Sequence, residues 1–368
     1  MASKHQSGIL NRRHVFALGA LTACAAAIPA NGDTVAPVSG GGLRLPARTI
    51  PIPNDVSAQA QGWLGMMGRV PYEQPPPAND HAAWKAKIAK DNSVLDPYFS
   101  SLDKVTSHTT EVVTLNGVTV YVVTPTNESA ARKAHFFIHG GGFVLFGGRY
   151  TGFLAKVAAL QYGGIVYAVD YRMPPDHPAP AALDDCLAAY RAVLERHAPL
   201  SVLVSGESAG GNLAAALMHK ARDAGLPQPA ALFLNTPAVD LTGTGDTLQT
   251  NRDIDVLLKR WGPSQTDLYT AGADSRSPYV SPLYGDVSKG FPPTYLRSGT
   301  RDLLLSDTVR MHAKLRKAGV EAELFVGEAM PHGGFGGRSP EDSDNVADTL
   351  RWLARYWNSE EKSTDYPR

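Results

Sequence analysis

Ser201-Val202-Leu203-Val204-Ser205-Gly206-Glu207-Ser208-Ala209-Gly210-Gly211 is the stretch around which the chain organises itself. A short apolar run, Ser201–Val204, leads into Gly-x-Ser-x-Gly. Leu213 and Leu217 then fall four apart, the spacing of one helix face. A strand that feeds a helix through small residues can turn sharply. Such a turn lifts Ser208 Oγ above the sheet in a strained backbone conformation. The first amides of the following helix then face any negative charge formed at that serine.

Outward from this turn the same rhythm repeats. Short apolar runs at His135–Ile138, Ile165–Val169, Ser201–Ser205, Ala231–Asn235, Thr294–Ser298 and Ala322–Val326 are separated by helix-length segments. Strands alternating with helices predict an α/β fold, a mostly parallel sheet with helices on both faces. Before the first of these runs, Val112, Val113 and Leu115 reach Asn116-Gly117, a hairpin signal, and Val118, Val120, Val122 and Val123 lead away from it. Near the end, Val346, Leu350, Leu353 and Trp357 predict one apolar stripe of a last helix. Two stretches break the alternation. One is residues 50–105, with Trp63 and Trp84; the other is residues 240–285, with Val256, Leu257, Leu258 and Trp261. Connections that long are seldom structureless in a compact domain, so both read as parts of a helical layer over a pocket.

Directly after the His135–Ile138 run stands His139-Gly140-Gly141-Gly142-Phe143. Three consecutive glycines are costly to order, so the backbone there needs unusual dihedrals or a close approach. An oxyanion hole has that need. The amides of Gly141 and Gly142, with that of Ala209 after the serine, are the expected donors, each worth about 3 kcal/mol of barrier. His139 sits on the wrong loop for a base and reads as a structural hydrogen-bonding histidine.

A serine hydroxyl needs a base, and the base needs an orienting carboxylate. In α/β-hydrolases these follow the serine in the order acid, histidine. Here the run Thr294–Ser298 leads to Gly299-Thr300-Arg301-Asp302. The run Ala322–Val326 leads to Met330-Pro331-His332-Gly333-Gly334-Phe335. Asp302 and His332 therefore fall on the sheet edge that carries Ser208, the edge where open α/β sheets bind ligands. Asp307 is the rival acid, but beside Ser306 at a helix start it reads as a capping residue. No metalloprotease or phosphate-loop string is present, and no metal or organic cofactor is expected.

The ordered set of motifs resembles the hormone-sensitive-lipase-like (bacterial family IV) carboxylesterases of the α/β-hydrolase superfamily. It comprises the His139–Phe143 block, the run Asp170–Asp185, Gly206–Gly211, Ser281-Pro282-Leu283, Pro292-Pro293-Thr294, and the Asp302 and His332 blocks, and it covers roughly residues 105–357. The resemblance implies a serine carboxylic-ester hydrolase with an eight-stranded sheet. It also implies a cap built from the N-terminal helices (51–105) and an insertion after the sixth strand (about 240–285), both serving a catalytic domain at 106–358. Short-to-medium acyl or aromatic esters, and a homodimer through the last strand, are implied as well. Phe143, Phe146, Trp63, Trp84 and Trp261 are the aromatic candidates for lining the substrate pocket. Three positions depart from the family pattern. Glu207 precedes the nucleophile, the base block reads His-Gly-Gly-Phe, and Leu303-Leu304 follows the acid. Lactone hydrolysis would use the same residues. Amide or peptide cleavage additionally needs a protonated amine leaving group, and a non-catalytic binding protein would be expected to lack His332.

Composition agrees with this reading. Of 368 residues, 43% are hydrophobic and 19% charged, which suits a folded chain with a large core. The 35 basic residues balance the 35 acidic ones, so no global field draws the chain to nucleic acid. Two cysteines, Cys24 and Cys186, cannot make a disulfide framework. Cys186 reads as a helix-buried thiol. The first 30 residues resemble an export signal, with Asn11-Arg12-Arg13 ahead of a weakly apolar run too short to span a bilayer. Cleavage is expected either after Ala30 or at a lipobox-like Leu21-Thr22-Ala23-Cys24, which would lipidate Cys24. Residues 31–50 read as a linker and 359–368 as a tail.

Overall fold

The computed structural model describes Gly42 and residues 46–99, 107–126 and 133–357. The expected export leader with Cys24, most of the expected linker and the expected C-terminal tail lie outside the described residues. The chain divides at residue 49 into two units. The described part of the first, Gly42 and residues 46–49, has no regular structure.

The second unit carries the sheet. Its strands are β1 (His108–Leu115), β2 (Val118–Pro125), β3 (Ala134–Ile138), β4 (Ile165–Val169), β5 (Val202–Glu207), β6 (Ala231–Asn235), β7 (Thr294–Gly299) and β8 (Ala322–Gly327). They form one eight-stranded sheet in the order β1-β2-β4-β3-β5-β6-β7-β8. The β1–β2 and β2–β4 pairs are antiparallel, and the remaining neighbours, β4-β3-β5-β6-β7-β8, run parallel. The Asn116-Gly117 turn closes the first hairpin with Leu115 opposite Val118, and both turn residues have the positive φ (48° and 85°) that a type I′ turn demands.

Helices cover both faces. Along β5 successive side chains point to opposite sides. Val202 and Val204 join a core built with α4 (Ala181–Leu194), α5 (Ala209–Asp223) and α8 (Leu305–Lys317). Leu203 between them packs on Trp352, Leu353 and Trp357 around the C-terminal helix α9 (Pro340–Leu353). On the same side, α3 (Arg149–Tyr162) places Ala155, Ala158 and Ala159 against Val123, Val166 and Ala168. Burial of both faces explains why the strands read as continuous apolar runs rather than alternating ones. Cys186 is fully buried on α4, as expected.

The apolar stripe read for the last helix is corrected. α9 opens on a capping box, Ser339 with Asp342, followed by Pro340. It buries Asn345, Thr349, Trp352 and Leu353, whereas Leu350 is exposed and Trp357 lies beyond the helix. Two polar residues turn inward because partners await them. Asn345 Nδ2 lies 3.3 Å from Met330 sulfur, and Thr349 Oγ1 donates to Asn345 O at 2.8 Å.

The two stretches outside the alternation are partly helical. Residues 50–105 supply α1 (Ala58–Gly68) and α2 (His81–Phe99), carrying Trp63 and Trp84. Residues 240–285 supply the short α6 (Thr247–Thr250), α7 (Pro263–Thr270) and a 3-10 turn at Pro282–Tyr284. α1 packs Ala60 and Leu64 on Val256, Met330 and Phe335, and Trp84 of α2 packs on Val144 and on Leu268 of α7. Both stretches thus touch the loops that follow β3 and β8.

Candidate active site

β5 ends at Glu207 and α5 begins at Ala209, leaving Ser208 alone in the turn with φ 55° and ψ −118°. A non-glycine residue in this left-handed region costs about 1–3 kcal/mol and persists only when its surroundings force it. Here its N–H donates to Asn235 O at 2.9 Å, and its carbonyl accepts from Asn212 and Ala238. The flanking glycines are required by close approach. A Cβ on Gly206 would lie 2.1 Å from Gly210 O, and one on Gly210 would lie 2.1 Å from Ile138 O. The small-residue motif is therefore a packing constraint as much as a turn signal.

Asp302 follows β7 and is fully buried. Ser298 Oγ donates to its Oδ2 at 2.6 Å and the Leu304 amide to its Oδ1 at 2.9 Å. His332 follows β8. Its Nδ1 lies 3.0 Å from Asp302 Oδ1 and its Nε2 lies 2.9 Å from Ser208 Oγ. The carboxylate fixes the tautomer with Nδ1 protonated, so Nε2 is free to accept the serine proton. Burial disfavours the imidazolium, but the charge and hydrogen bond of Asp302, with Asp255 and Glu207 behind, outweigh it. The His332 pKa is raised above its ordinary value. The three residues predicted from sequence thus meet in one hydrogen-bonded line, a Ser-Asp-His triad.

Asp307, the rival acid, is not a cap. Its Oδ2 accepts the amide of Asp240 at 2.9 Å, and burial pushes its pKa up to about 8. His139 is structural as read: its ring stacks on Tyr171 at 4.2 Å, its Nδ1 lies 2.8 Å from Gly140 O, and burial lowers its pKa to about 4. A second serine–histidine contact, Ser205 Oγ to His135 Nε2 at 2.6 Å, lies within the sheet.

The glycine loop adopts the predicted special backbone, with Gly141 at φ 95° and Gly142 at φ 59°. Among the described residues, the amides of Gly141, Gly142 and Ala209 have no intramolecular acceptor. The loop is tied down through its carbonyls. Gly141 O accepts from Val144 and Leu145, and Gly142 O accepts from Gln265 Nε2 of α7 at 2.7 Å.

The aromatic candidates scatter. Phe143 is fully buried and stacks on Tyr269 at 3.7 Å, so it is core and cannot line a pocket. Trp84 is likewise buried, its Nε1 donating to Pro77 O. Trp63 packs with α1 and lies against Gly336 on the loop after His332. Phe146 lies against Gly141 and is only half-buried. Trp261 donates to Thr266 Oγ1 and lines a cavity of about 760 Å³ beside α7, but no triad residue lines that cavity.

Sequence reasoning missed Asp255, Gln265 and Asn251, all from the 240–285 stretch. Asn251 Nδ2 donates to Asp302 O at 2.8 Å and Thr300 O at 3.1 Å. Asp255 is fully buried among Leu303, His332 and its own segment. The only signal was a carboxylate beside the apolar run Val256-Leu257-Leu258. Asp255, Asp302 and His332 bring polar atoms within 4.8 Å of one another. Both Asp255 oxygens are engaged by backbone amides, which makes the group a hydrogen-bond network in this arrangement.

A family model described as alpha/beta hydrolase fold matches residues 135–336, more than half the chain. The chain is 34% identical to an acetyl-hydrolase of Streptomyces hygroscopicus over 211 residues, covering 57% of this chain and 70% of that protein. It is similar to the crystal structure of an esterase, E25, with TM-score 0.79 and 36% identity over 86% of this chain and 99% of that one. A hormone-sensitive lipase structure from a metagenome library matches with TM-score 0.71 and 27% identity, covering 83% of this chain and all (100%) of that one. With the triad assembled at the strand ends of this sheet, the chain belongs to the hormone-sensitive-lipase-like (family IV) carboxylesterases of the α/β-hydrolase superfamily, and it hydrolyses carboxylic esters.

Proposed function

We propose that the substrates are small esters with short-to-medium acyl or aromatic groups, cleaved through an acyl-enzyme on Ser208. The observation that carries this is the unbroken line Ser208 Oγ, His332 Nε2, His332 Nδ1, Asp302 Oδ1, with links of 2.9 and 3.0 Å. His332 takes the serine proton as Oγ attacks the ester carbonyl, and Asp302 stabilises the imidazolium. The oxyanion forms beside Gly141, Gly142 and Ala209, whose unengaged amides and the N-terminus of α5 support its stabilisation. His332 then protonates the departing alkoxide. Water activated by the same imidazole releases the acid.

The short acyl preference is supported by the acetyl-hydrolase relative and by the layer that α1, α2 and residues 240–285 lay against the loops after β3 and β8, read here as a cap. A series of p-nitrophenyl esters from acetate to palmitate, with cyclic lactones alongside, tests it. Turnover should peak at or below about eight carbons. A maximum at palmitate, or lactones outpacing every linear ester, would replace this reading with a lipase or a lactonase. Export through the Arg12-Arg13 leader is proposed with it, since paired arginines before a short apolar run suit that route.

A further inference from the structure

We infer that Asp255 is a positioning residue for the ester-hydrolase reaction: one buried carboxylate from the 240–285 stretch holds the acid loop and the base loop of the triad in register. This rests on the triad assignment and deepens it.

The geometry is specific. Oδ1 of Asp255 accepts the amides of Leu257 at 2.9 Å and Leu258 at 3.0 Å, which closes its own turn. Oδ2 reaches away from that turn. It accepts the amide of Leu303 at 2.8 Å, the residue after the catalytic acid, and the amide of His332 itself at 3.2 Å. Residues 255, 302 and 332 stand on three separate segments, and this oxygen bonds backbone from both catalytic loops. Neighbouring residues strengthen one arm. Asn251 holds Thr300 O and Asp302 O, and Thr247 exchanges hydrogen bonds with Ser306 and Leu303.

A buried carboxylate is expensive, and water cannot relieve it. Local turn closure alone would be met by a serine at the same place, since its short side chain can accept amides two and three residues on. The extra reach of the aspartate is what the two catalytic loops use. Its charge also bears on the reaction. The groups facing His332 are Asp302 from the end of β7, Asp255 from the insertion and Glu207 from the end of β5, and all three favour the imidazolium. Asp255 in turn faces His332 and Asp302, and its own pKa is raised chiefly by burial. Register and field therefore come from one side chain.

The test compares Asp255→Asn and Asp255→Ser with native enzyme on p-nitrophenyl acetate, reading kcat, KM and the pH profile. Asp255→Ser keeps an acceptor for Leu257 and Leu258 but abandons Leu303 and His332. Misplacing reacting groups by a fraction of an ångström costs on the order of 10- to 100-fold. Both variants should lose kcat by that factor with KM little changed. In both, the acid limb of kcat/KM should move to lower pH by about one unit, as one negative charge leaves the imidazole. Reactivity of Ser208 toward a fluorophosphonate should persist at a reduced rate, which separates this claim from the triad assignment. A folded variant with kcat within about twofold of native, and an unshifted limb, would overturn the proposal. If neither variant folds, the carboxylate is a folding determinant and the positioning role falls.

Discussion

Ser208–His332 and Ser205–His135 are two serine–histidine contacts three residues apart along the same strand and turn, and the shorter contact has none of the other equipment. Ser205 Oγ lies 2.6 Å from His135 Nε2, against 2.9 Å for Ser208 and His332. His135 is caged edge-on by Phe137, Tyr162 and Trp357, and its Nδ1 has no hydrogen-bond partner among the described residues. Burial drives its pKa down to about 3, so it stays neutral at every ordinary pH. His332 is as deeply placed, but Asp302 stands behind it and reverses the effect of burial. Distance alone therefore does not make a base. What differs is a carboxylate behind the imidazole and a serine at a strand end beside unengaged amides, rather than one inside a sheet ladder.

The largest effect should separate the pairs outright. Ser208→Ala should lower turnover of p-nitrophenyl acetate by about 10⁴-fold or more. Ser205→Ala should keep kcat within about threefold. It should instead lower the melting temperature, since His135 Nε2 is left buried without a partner at about 1–3 kcal/mol. Comparable activity losses in both would break the distinction.

A smaller effect lies in pH. Protonated His332 cannot accept the serine proton, so kcat/KM should fall as pH drops through its raised pKa. The rising limb therefore lies above the ordinary imidazole value of about 6.5. His135, pushed to about 3, adds no second step in the working range. A pH–rate profile with its limb at or below about 6 would mean that Asp302 does not dominate the field at His332.

Much of this contrast was legible in the sequence. Gly206 and Gly210 announce the turn because backbone atoms fill the space a side chain would need at each, and Ser208 stands between them. Asp302 and His332 were legible because each follows an apolar run that becomes β7 or β8. The α9 face was misread because Asn345 and Thr349 look like surface residues until Met330 and a helix carbonyl meet them. Phe143 was misread for a related reason. Its place in the glycine loop suggested a pocket wall, yet its ring stacks on Tyr269, more than a hundred residues away. Asp255 was invisible, because its role exists only where the segments carrying residues 255, 303 and 332 converge. The triad's shared sheet edge could be read; the arrival of Asp255 beside it could not.

The central claim is that Ser208 is the activated nucleophile. Treating the purified protein with a fluorophosphonate and mapping the adduct by peptide mass spectrometry tests it directly. A single adduct on Ser208, abolished in Ser208→Ala and retained in Ser205→Ala, is the expected result. Phosphonylation of Ser205, or labelling undiminished in Ser208→Ala, would contradict it.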